Sequence, residues 1–415
     1  MEQKNENGKF IKGLFCGVLL VLICMAGCLL HLQWKMNRRT ANISTAEKTD
    51  HLNMNLKQVK KKTGEIEALI NAYYLDEIDS QQVEDTMYTG MVAGLDDPYS
   101  VYYSEEELET MEEATSGAYA GIGATLTQDP DTGEMSVVSC FDGTPAQEAG
   151  LLPGDVISGW NGASVEGMEL TELVSKIKTD PDEHLTLEIE RDGETLEVEL
   201  TRREVEIPTV EYEMLDDQIG YIRLVEFDEV TADQFKEALE ELESQNMEKL
   251  IVDVRDNPGG VLQVVCDMLD EILPEGLIVY TEDKDGNRKE YTSDEEHQFQ
   301  KPLAVLVNEN SASASEIFAG AIQDYGMGTI VGTTTFGKGI VQKIFYLSDG
   351  TGVKLTVAKY YTPKGHDIHQ KGITPDVEAE LNDDLKKQSV ISHEEDSQLQ
   401  EAIHVLQNET RQEQK

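Results

Sequence analysis

Residues 302–318 read PLAVLVNENSASASEIF, an apolar run followed by small polar residues and then by a further apolar start. Pro302–Val307 has the length and composition of a buried strand, and a helix is predicted from about Ser313 to Tyr325. Ser313 therefore lies where a strand turns into a helix. A hydroxyl at such a turn is close to the unpaired N–H groups of the first helical turn, which can stabilise an oxyanion. From these residues alone, helix capping by the serines is the simpler interpretation.

Strands and helices alternate along the chain before this stretch, from about residue 204 onwards. Alternation of this kind is typical of an α/β layer fold. The predicted elements are Gly220–Leu224, Ala232–Ser244, Leu250–Val254 and Val261–Leu273. Two amphipathic helices are predicted earlier in the chain, one around 66–74 and one over 83–95, and a last helix is predicted over 397–406.

Two glycine-containing segments change the interpretation of the serines. Asp256–Gly260, DNPGG, follows a predicted buried strand, and its adjacent glycines let the backbone approach a reacting carbonyl and direct an N–H at it. Gly332–Gln342, GTTTFGKGIVQ, nearly matches a phosphate-binding P-loop. Gly339 stands where that loop needs Ser or Thr for magnesium, and Lys343–Leu347 reads as a strand instead of a helix. The sequence therefore argues against nucleotide binding.

Short predicted strands and glycine turns occupy the chain from about Ser104 to Arg203. This stretch resembles a PDZ domain. The resemblance rests on Gly121-Ile122-Gly123, on GTPA at 143–146, on AGL at 149–151 and on PGDVI at 153–157. In such a domain the N–H groups of the glycine loop bind a peptide's terminal carboxylate while the peptide adds as a strand to the sheet edge. The resemblance gives this peptide-binding role to Gly121, Ile122 and Gly123.

Taken together, SASASEI at 311–317, NPGG at 257–260 and TFGKGIVQ at 335–342 resemble the C-terminal processing, or tail-specific, serine peptidases. The resemblance extends from about Ile66 to Asp376 and includes the inserted PDZ domain. It implies an α/β fold with a crotonase-like protease core, no cofactor and no metal. It also implies endoproteolytic cleavage near the C-terminal tails of proteins, with the PDZ domain recognising the tail.

The same resemblance assigns catalytic roles to three side chains. Ser313 matches the nucleophile, Lys338, 25 residues later, matches the general base, and Gln342 matches the residue that orients the lysine. Because an ordinary lysine has a pKa of about 10.4, Lys338 can accept a proton only where burial disfavours its charge. Its neighbours in sequence, which include Thr, Phe, Gly, Ile and Val, suit that need. The oxyanion hole is predicted from the backbone of Gly259, Gly260 and Ala314.

Other polar residues are predicted to be outside the reaction. Asp324 lies 11 residues after Ser313 in the predicted helix, about 16 Å along its axis, so we expect it to support the helix end. His366 and His369 have only a weak metal-ligand spacing and no acidic partner segment. The family typically has arginine at the position of His366 and often near that of Lys178, where it links the PDZ domain to the active site, so this sequence departs from the family pattern at both places.

Charge and composition exclude several classes of protein. With 34 Lys+Arg against 81 Asp+Glu, the formal charge of −47 would repel a nucleic acid. A chain of 415 residues with 39% hydrophobic residues can form two or three domains. Three of the five cysteines lie in one apolar run near the start, so no disulfide framework is available.

That apolar run, residues 10–32, has Lys12 as its single charged residue and is long enough to span a bilayer. We expect an uncleaved, single-pass transmembrane signal anchor in the cell membrane, with 1–9 cytoplasmic and the catalytic part outside the cytoplasm. Basic residues flank this segment on both sides, so the distribution of positive charge does not determine its orientation in the membrane. Met25–Cys28 also resembles a lipoprotein cleavage box, so processing at Cys28 is the alternative.

The predicted order of domains follows from these segments. They are a linker over 33–62, an N-terminal helical segment over 63–103, the PDZ domain over 104–203, the protease core over 204–381 and a helical tail over 382–415. The competing function is a catalytically inactive PDZ scaffold or regulatory pseudoprotease. Retention of the serine, lysine, glutamine and paired glycines argues against it. The helical ends also leave a homodimer open.

Overall fold

The computed structural model describes residues 52–179, 184–382, 385 and 391–413. The chain forms two compact units, one with the residues up to 108 and 342–356, the other with 109–341 and the residues from 357. The predicted transmembrane segment, 10–32, and the predicted cleavage site at Cys28 lie outside the described residues. Within the described ranges, no helix is both long enough and apolar enough to cross a membrane.

The helices of the described residues are α1 Leu56–Tyr73, α2 Ser80–Ala93, α3 Glu105–Ser116, α4 Pro145–Glu148, α5 Leu170–Thr179, α6 Thr231–Ser244, α7 Leu262–Asp270, α8 Ala314–Tyr325 and α9 Ser397–Glu413. The strands are β1 Val101–Tyr103, β2 Ala118–Gly121, β3 Ala124–Gln128, β4 Met135–Cys140, β5 Val156–Trp160, β6 Ala163–Ser164, β7 His184–Arg191, β8 Glu194–Thr201, β9 Arg203–Glu206, β10 Val210–Leu215, β11 Ile219–Leu224, β12 Lys249–Asp253, β13 Gly276–Asp283, β14 Arg288–Ser293, β15 Leu303–Val307, β16 Thr329–Gly332, β17 Ile340–Tyr346, β18 Gly352–Tyr361 and β19 Val377–Glu378.

The first unit contains the two predicted amphipathic helices. Asp79 caps α2 by accepting from the N–H groups of Gln81 and Gln82 at 2.9 and 3.1 Å. The hydroxyl of Tyr102, a buried residue of β1, donates to Asp85 of α2 at 2.9 Å. β1 pairs with the start of β18, with Val101 opposite Lys354. Neither α1 nor α2 buries a residue, so their apolar side chains remain on the surface.

Helix α3 lies in a stretch where short strands were predicted. Ser104 and Glu107 form a reciprocal cap, because the Ser104 N–H donates to the Glu107 carboxylate at 2.8 Å and the Glu107 N–H donates to the Ser104 hydroxyl at 3.3 Å. Three consecutive glutamates in the first turn also favour a helix start. The Ser-x-x-Glu pattern was the signal for this helix.

The predicted PDZ domain is an antiparallel sheet in the order β3-β4-β5-β7-β8 with α5 packed against it. Its core includes Leu173 of α5 and Leu187 and Ile189 of β7, all fully buried. The predicted hairpin over 191–194 is present, with positive φ at Asp192 and Gly193 as a tight two-residue turn requires. β2, at the start of this domain in the sequence, pairs with β9, at its end, and the two form a separate antiparallel ribbon.

The predicted protease core has α/β layers, as the alternation of strands and helices indicated. Its sheet has the order β10-β11-β12-β15-β16-β19, and all strands except β10 are parallel. Helices α6, α7 and α8 share the main apolar cluster on one face, where Phe235 and Phe318 pack edge to face. Leu399, Ala402 and Leu406 of α9 cover the other face. Consequently the loops after β11, β12, β15 and β16 lie side by side at the carboxyl edge of the sheet.

Candidate active site

Ser313 occupies the predicted turn between β15 and α8, and its backbone is unusual. The φ angle of Ser313 is +54°, a region that non-glycine residues seldom adopt and that occurs often at functional sites. Buried hydrogen bonds hold the residues before it. The Ser311 hydroxyl donates to the Val254 carbonyl at 2.7 Å, and the Ala312 N–H donates to the Asn257 carbonyl at 3.0 Å. The turn that carries Ser313 is therefore fixed to the loop after β12.

Asn257 is the centre of that loop and is fully buried. Its side-chain amide donates to the Leu224 carbonyl at the end of β11 at 2.8 Å, and its side-chain oxygen accepts from the Gly259 N–H at 2.8 Å. Its backbone carbonyl also accepts from the Ser315 hydroxyl at 2.9 Å. Asn257 thus joins three neighbouring loops. Its part in the site was missed, although it stands within the quoted Asn-Pro-Gly-Gly motif.

The predicted close approach of the two glycines is present. A Cβ atom on Gly259 would lie 2.7 Å from the Cβ of Ser313, and one on Gly260 would lie 2.2 Å from the Phe227 carbonyl oxygen. Both glycines have positive φ, at +101° and +150°. The Gly259 N–H, which was predicted to be part of the oxyanion hole, is instead bonded to the Asn257 side chain, whereas the N–H groups of Gly260 and Ala314 donate to no other described residue.

A single carboxylate connects Ser313 with Lys338. Glu316 is fully buried on α8 and accepts from the Ser313 N–H at 3.0 Å and from the Lys338 N–H at 2.8 Å. It also accepts from the Thr335 hydroxyl at 2.6 Å and from the Gly337 N–H at 2.7 Å. Burial raises the pKa of Glu316, while these hydrogen bonds partly oppose that rise. The Ser313-x-x-Glu316 spacing of a capping box was the signal for this residue.

Tyr360 makes a second connection between the same two segments. Its hydroxyl donates to the Ser313 carbonyl at 3.1 Å and also lies within hydrogen-bonding distance of the Lys338 carbonyl. Burial holds the pKa of Tyr360 well above its ordinary value, so the hydroxyl remains a donor. No pattern in the sequence pointed to this tyrosine. Two buried side chains, Glu316 and Tyr360, therefore each contact the main chains of both Ser313 and Lys338. The Lys338 side chain itself is half-buried.

The remaining predicted residues are placed as follows. Gln342 lies on β17, where its side-chain nitrogen is 3.5 Å from the Thr356 hydroxyl. Asp324 is buried near the end of α8 and accepts from the Lys364 N–H at 2.7 Å. His366 Nδ1 lies 3.1 Å from the same carboxylate. Asp324 therefore supports the helix end, as predicted. In the described part of the chain, no cluster of three or more His, Cys, Asp or Glu side chains could hold a metal ion.

The predicted peptide-binding loop adjoins a groove of 250 Å³ in the PDZ domain. The groove lies beside β3, an edge strand whose one partner in the sheet is β4, and beside α5. Gly123 has a φ of +76° and its carbonyl accepts from the Thr144 hydroxyl at 3.1 Å, so this loop is rigidly held. Lys178 lines the groove, and its ammonium is 2.7 Å from the Glu113 carboxylate.

Comparison with known proteins gives a consistent assignment. Residues 218–379 match peptidase family S41, 137–191 match the PDZ domain, and 21–107 match the N-terminal domain of the activating protease CtpB. The carboxyl-terminal-processing protease of Synechocystis is 37% identical over 327 residues, which cover 76% of this chain and 75% of that protein. The carboxy-terminal processing protease CtpA of Bacillus subtilis is 38% identical over 319 residues, covering 76% and 68%.

A solved structure assigned to the S41 proteases, from Bacteroides fragilis, superposes with a TM-score of 0.50 at 18% identity. The match covers 81% of this chain and 93% of that one, which shows a shared fold. The identity of more than a third over most of two curated relatives shows the family itself. This chain belongs to peptidase family S41, among its serine-type carboxyl-terminal processing proteases with a PDZ domain.

Proposed function

We propose that this protein cleaves other proteins near their C-terminal tails, with Ser313 as the nucleophile and Lys338 as the general base. The observation that carries the proposal is a double connection. Glu316 accepts from the N–H groups of Ser313 and Lys338, and the Tyr360 hydroxyl lies within hydrogen-bonding distance of the carbonyls of the same two residues. Such an arrangement keeps a nucleophile and a base in register at low entropic cost. A residue that merely capped α8 would not need a second segment fixed around it.

The reaction follows from these groups. Neutral Lys338 removes the proton of the Ser313 hydroxyl as the oxygen attacks the scissile carbonyl carbon. The N–H groups of Gly260 and Ala314 stabilise the resulting oxyanion. When the tetrahedral intermediate collapses, the C–N bond breaks and the amine leaves with the proton from Lys338. Water, deprotonated by Lys338, then attacks the acyl carbonyl carbon, and the Ser313 oxygen leaves with the proton from Lys338 as the acid product is released. Gln342 is the residue that we propose orients the lysine, as the family resemblance implies.

Replacement of the two catalytic residues tests this function. Ser313→Ala and Lys338→Ala should each abolish cleavage of a tailed model protein, because nucleophile and base act as a unit. Lys338→Arg should not restore it, since guanidinium does not lose its proton. Lys343→Ala, an exposed lysine on β17, is the matched control and should leave the rate unchanged. Cleavage retained by Lys338→Ala in a folded protein would reject the dyad.

EDTA should have no effect on the rate of cleavage, because a serine and lysine dyad needs no metal ion.

Recognition of the substrate tail by the PDZ domain is supported by the groove beside β3. An extended peptide placed there would extend the sheet at its free edge, and its terminal carboxylate would lie near the loop of Gly121, Ile122 and Gly123. The groove has an apolar lining. It includes Ile122, Leu126, Val174 and Ile177. An apolar last residue of the substrate is therefore expected to bind more tightly than a charged one.

Anchoring in the cell membrane, with the catalytic part outside the cytoplasm, is a further part of the proposal. Its support is the apolar length of residues 10–32 in the sequence. Fractionation of cells that express the full chain should find it with the membrane, and protease added to intact cells after wall removal should digest it. A lipid on Cys28, detected by mass spectrometry, would favour the lipoprotein alternative. A protein that stays soluble would contradict both.

A homodimer formed through α1 and α2 is also proposed. These helices bury no residue, yet they carry several large, exposed apolar side chains. The exposed side chains are Leu56, Val59, Ile66, Leu69 and Tyr73 on α1 and Val83, Met87, Tyr88 and Met91 on α2. Sedimentation at several concentrations should give a dimer that Leu69→Lys dissociates and Lys57→Ala does not. A monomer at all concentrations would contradict the proposal.

A further inference from the structure

Phe336 is an exposed aromatic residue on a loop that is otherwise closely held. Its N–H donates to the Ser311 carbonyl at 3.1 Å, two residues before the nucleophile. On one side, the Thr335 side chain is buried and bonded to Glu316, and on the other side the Gly337 N–H is bonded to the same carboxylate. The side chain of Phe336 nevertheless remains 56% exposed. The backbone therefore holds this ring in water beside the nucleophile turn.

Val225 holds a corresponding position on the other side. It directly follows β11, whose last carbonyl, from Leu224, accepts the Asn257 side-chain amide. Val225 is 41% exposed. Since the sheet order is β11-β12-β15-β16, the loops that carry Gly260 and Ser313 lie between the loops that carry Val225 and Phe336. Two exposed apolar side chains thus flank the reacting groups at the carboxyl edge, where open α/β sheets bind their ligands.

From this placement we infer that Phe336 determines specificity by packing against an apolar substrate side chain next to the scissile bond, with Val225 contacting the substrate from the other side. The inference rests on the proposed function, because it assumes cleavage at Ser313. An exposed Phe ring gains binding free energy when a substrate side chain covers it. A polar residue at the same substrate position would gain nothing from the ring and would lose part of its own hydration.

The test uses the full chain and two tailed proteins with the same C-terminus. They differ only at the residue next to the mapped cleavage site, which is Leu in one and Ser in the other. Wild type should prefer the Leu protein in kcat/KM. Phe336→Ala should lower kcat/KM for the Leu protein about tenfold and for the Ser protein less than twofold. Phe336→Leu should keep the preference. Tyr212→Ala, an aromatic residue 47% exposed on β10, is the matched control and should change neither rate.

Two results would overturn the inference. One is an equal loss for both proteins in Phe336→Ala, and the other is an unchanged Leu preference. Failure of the proposed function is recognised separately. Cleavage that survives Ser313→Ala rejects the nucleophile, and the preference ratio is still measurable. Because both proteins are built on a site that wild type cleaves, the preference ratio can be measured whichever residue proves to be the nucleophile.

Discussion

At the scale of single residues, the Glu316 carboxylate receives four hydrogen bonds, one from Ser313 three residues before it and three from the distant segment 335–338. Two of the donors are the N–H groups of Ser313 and Lys338. A neutral amide in its place could accept at one oxygen only, and its NH2 group would face donors instead of acceptors. Misplacement of reacting groups by about 1 Å can cost roughly 100-fold in rate. The position of this carboxylate is therefore expected to decide kcat more than KM.

Glu316→Gln tests this expectation. The variant should lose about 100-fold in kcat with little change in KM, and about 1.5 to 3 kcal/mol in the free energy of unfolding. Glu309→Gln is the matched control, because Glu309 is exposed and accepts one side-chain hydrogen bond, from Thr333. Steady-state kinetics and urea unfolding measure both quantities. A Glu316→Gln enzyme with an unchanged kcat would show that the connection to Lys338 is not needed for catalysis.

Asp228 lies at the same edge of the core, and its ionisation lowers the free energy of unfolding in a pH-dependent way. Burial and the neighbouring charge of Glu226 raise its pKa to about 6. Between about pH 4 and pH 6, the folded protein keeps a proton that the unfolded chain has lost, so stability falls as pH rises through this window. The next residue towards the N-terminus, Phe227, bonds to both sides of the Gly260 turn.

Asp228→Asn should remove this loss of stability at higher pH. The variant should be more stable than wild type by about 1 to 2 kcal/mol near pH 8, and the difference should shrink near pH 5. Asp233→Asn, at an exposed position of α6, should show no such dependence. Urea unfolding at both pH values gives the measurement. A difference that is the same at both pH values would mean that Asp228 is ionised throughout.

The residues of the site differ in how far the sequence can predict them. Ser313, Lys338 and the glycines lie in short motifs in which each residue has its own chemical reason to be present. Tyr360 lies among similar residues of an ordinary strand, Lys359-Tyr360-Tyr361. Its contact with Ser313 depends on how β18 packs, and local sequence does not encode that packing. Glu316 is an intermediate case. Its capping position could be predicted from the sequence, but its hydrogen bond to the Lys338 N–H could not.

At the scale of elements, α9 is fixed to the sheet by a buried ionic network. Arg255 bonds to Asp253 at 2.6 Å and to Asp396 at 2.8 Å, and its guanidinium is largely buried. Asp396 also caps α9, since its carboxylate accepts from the N–H of Gln398 at 3.1 Å and of Leu399 at 3.0 Å. Burial alone would raise the pKa of Asp396, but the hydrogen bond and charge of Arg255, together with the N–H groups of Leu399 and Gln398, outweigh it and the pKa is lowered.

Asp396→Ala should therefore destabilise the protein by about 3 kcal/mol at neutral pH, because a buried cation loses one partner and α9 loses its cap. The stabilisation from Asp396 is present above its ordinary pKa of about 3.9 and is lost as the pH falls below that value. The stability of Asp396→Asn should lie between those of wild type and Asp396→Ala, since the asparagine amide oxygen still caps the helix. Thermal unfolding measures the change. Glu394→Ala, at an exposed position, is the control, and equal effects of the two alanine variants would contradict the prediction.

Elements with an apolar period were predicted best. The core strands and α6, α7 and α8 were found within a few residues of their structural bounds, because burial imposes the pattern on the sequence. The hairpin of β13 and β14 was missed. Its second strand is mostly charged and exposed, so no alternation marks it. Its turn contains Asp285-Gly286, a hairpin signal, and the Asp283 carboxylate accepts from the N–H groups of Asp285 and Asn287 at 2.9 Å.

At the scale of the whole molecule, the sequence places a peptide-binding domain within a protease chain, and a substrate tail has two tasks. In the proposed function, the tail binds in the PDZ groove and presents a bond to Ser313. A free terminal carboxylate can accept hydrogen bonds from the Gly121-Ile122-Gly123 loop, and an amidated terminus replaces one acceptor with a donor. Hydrogen bonds to a charged group contribute about 1.5 to 3 kcal/mol, which corresponds to tenfold or more in affinity.

Two substrates that differ only in a free or an amidated C-terminus should therefore be cleaved at different rates by the full-length enzyme. The amidated tail should raise KM about tenfold, while kcat at saturation should change little if the tail serves binding alone. A fall in kcat as well would mean that tail binding also promotes the active arrangement of Ser313 and Lys338. The Ser313→Ala variant, which should cleave neither substrate, controls for contaminating proteases. Equal kcat/KM for both tails would reject recognition of the carboxylate and would leave the groove to select substrates by side chain alone.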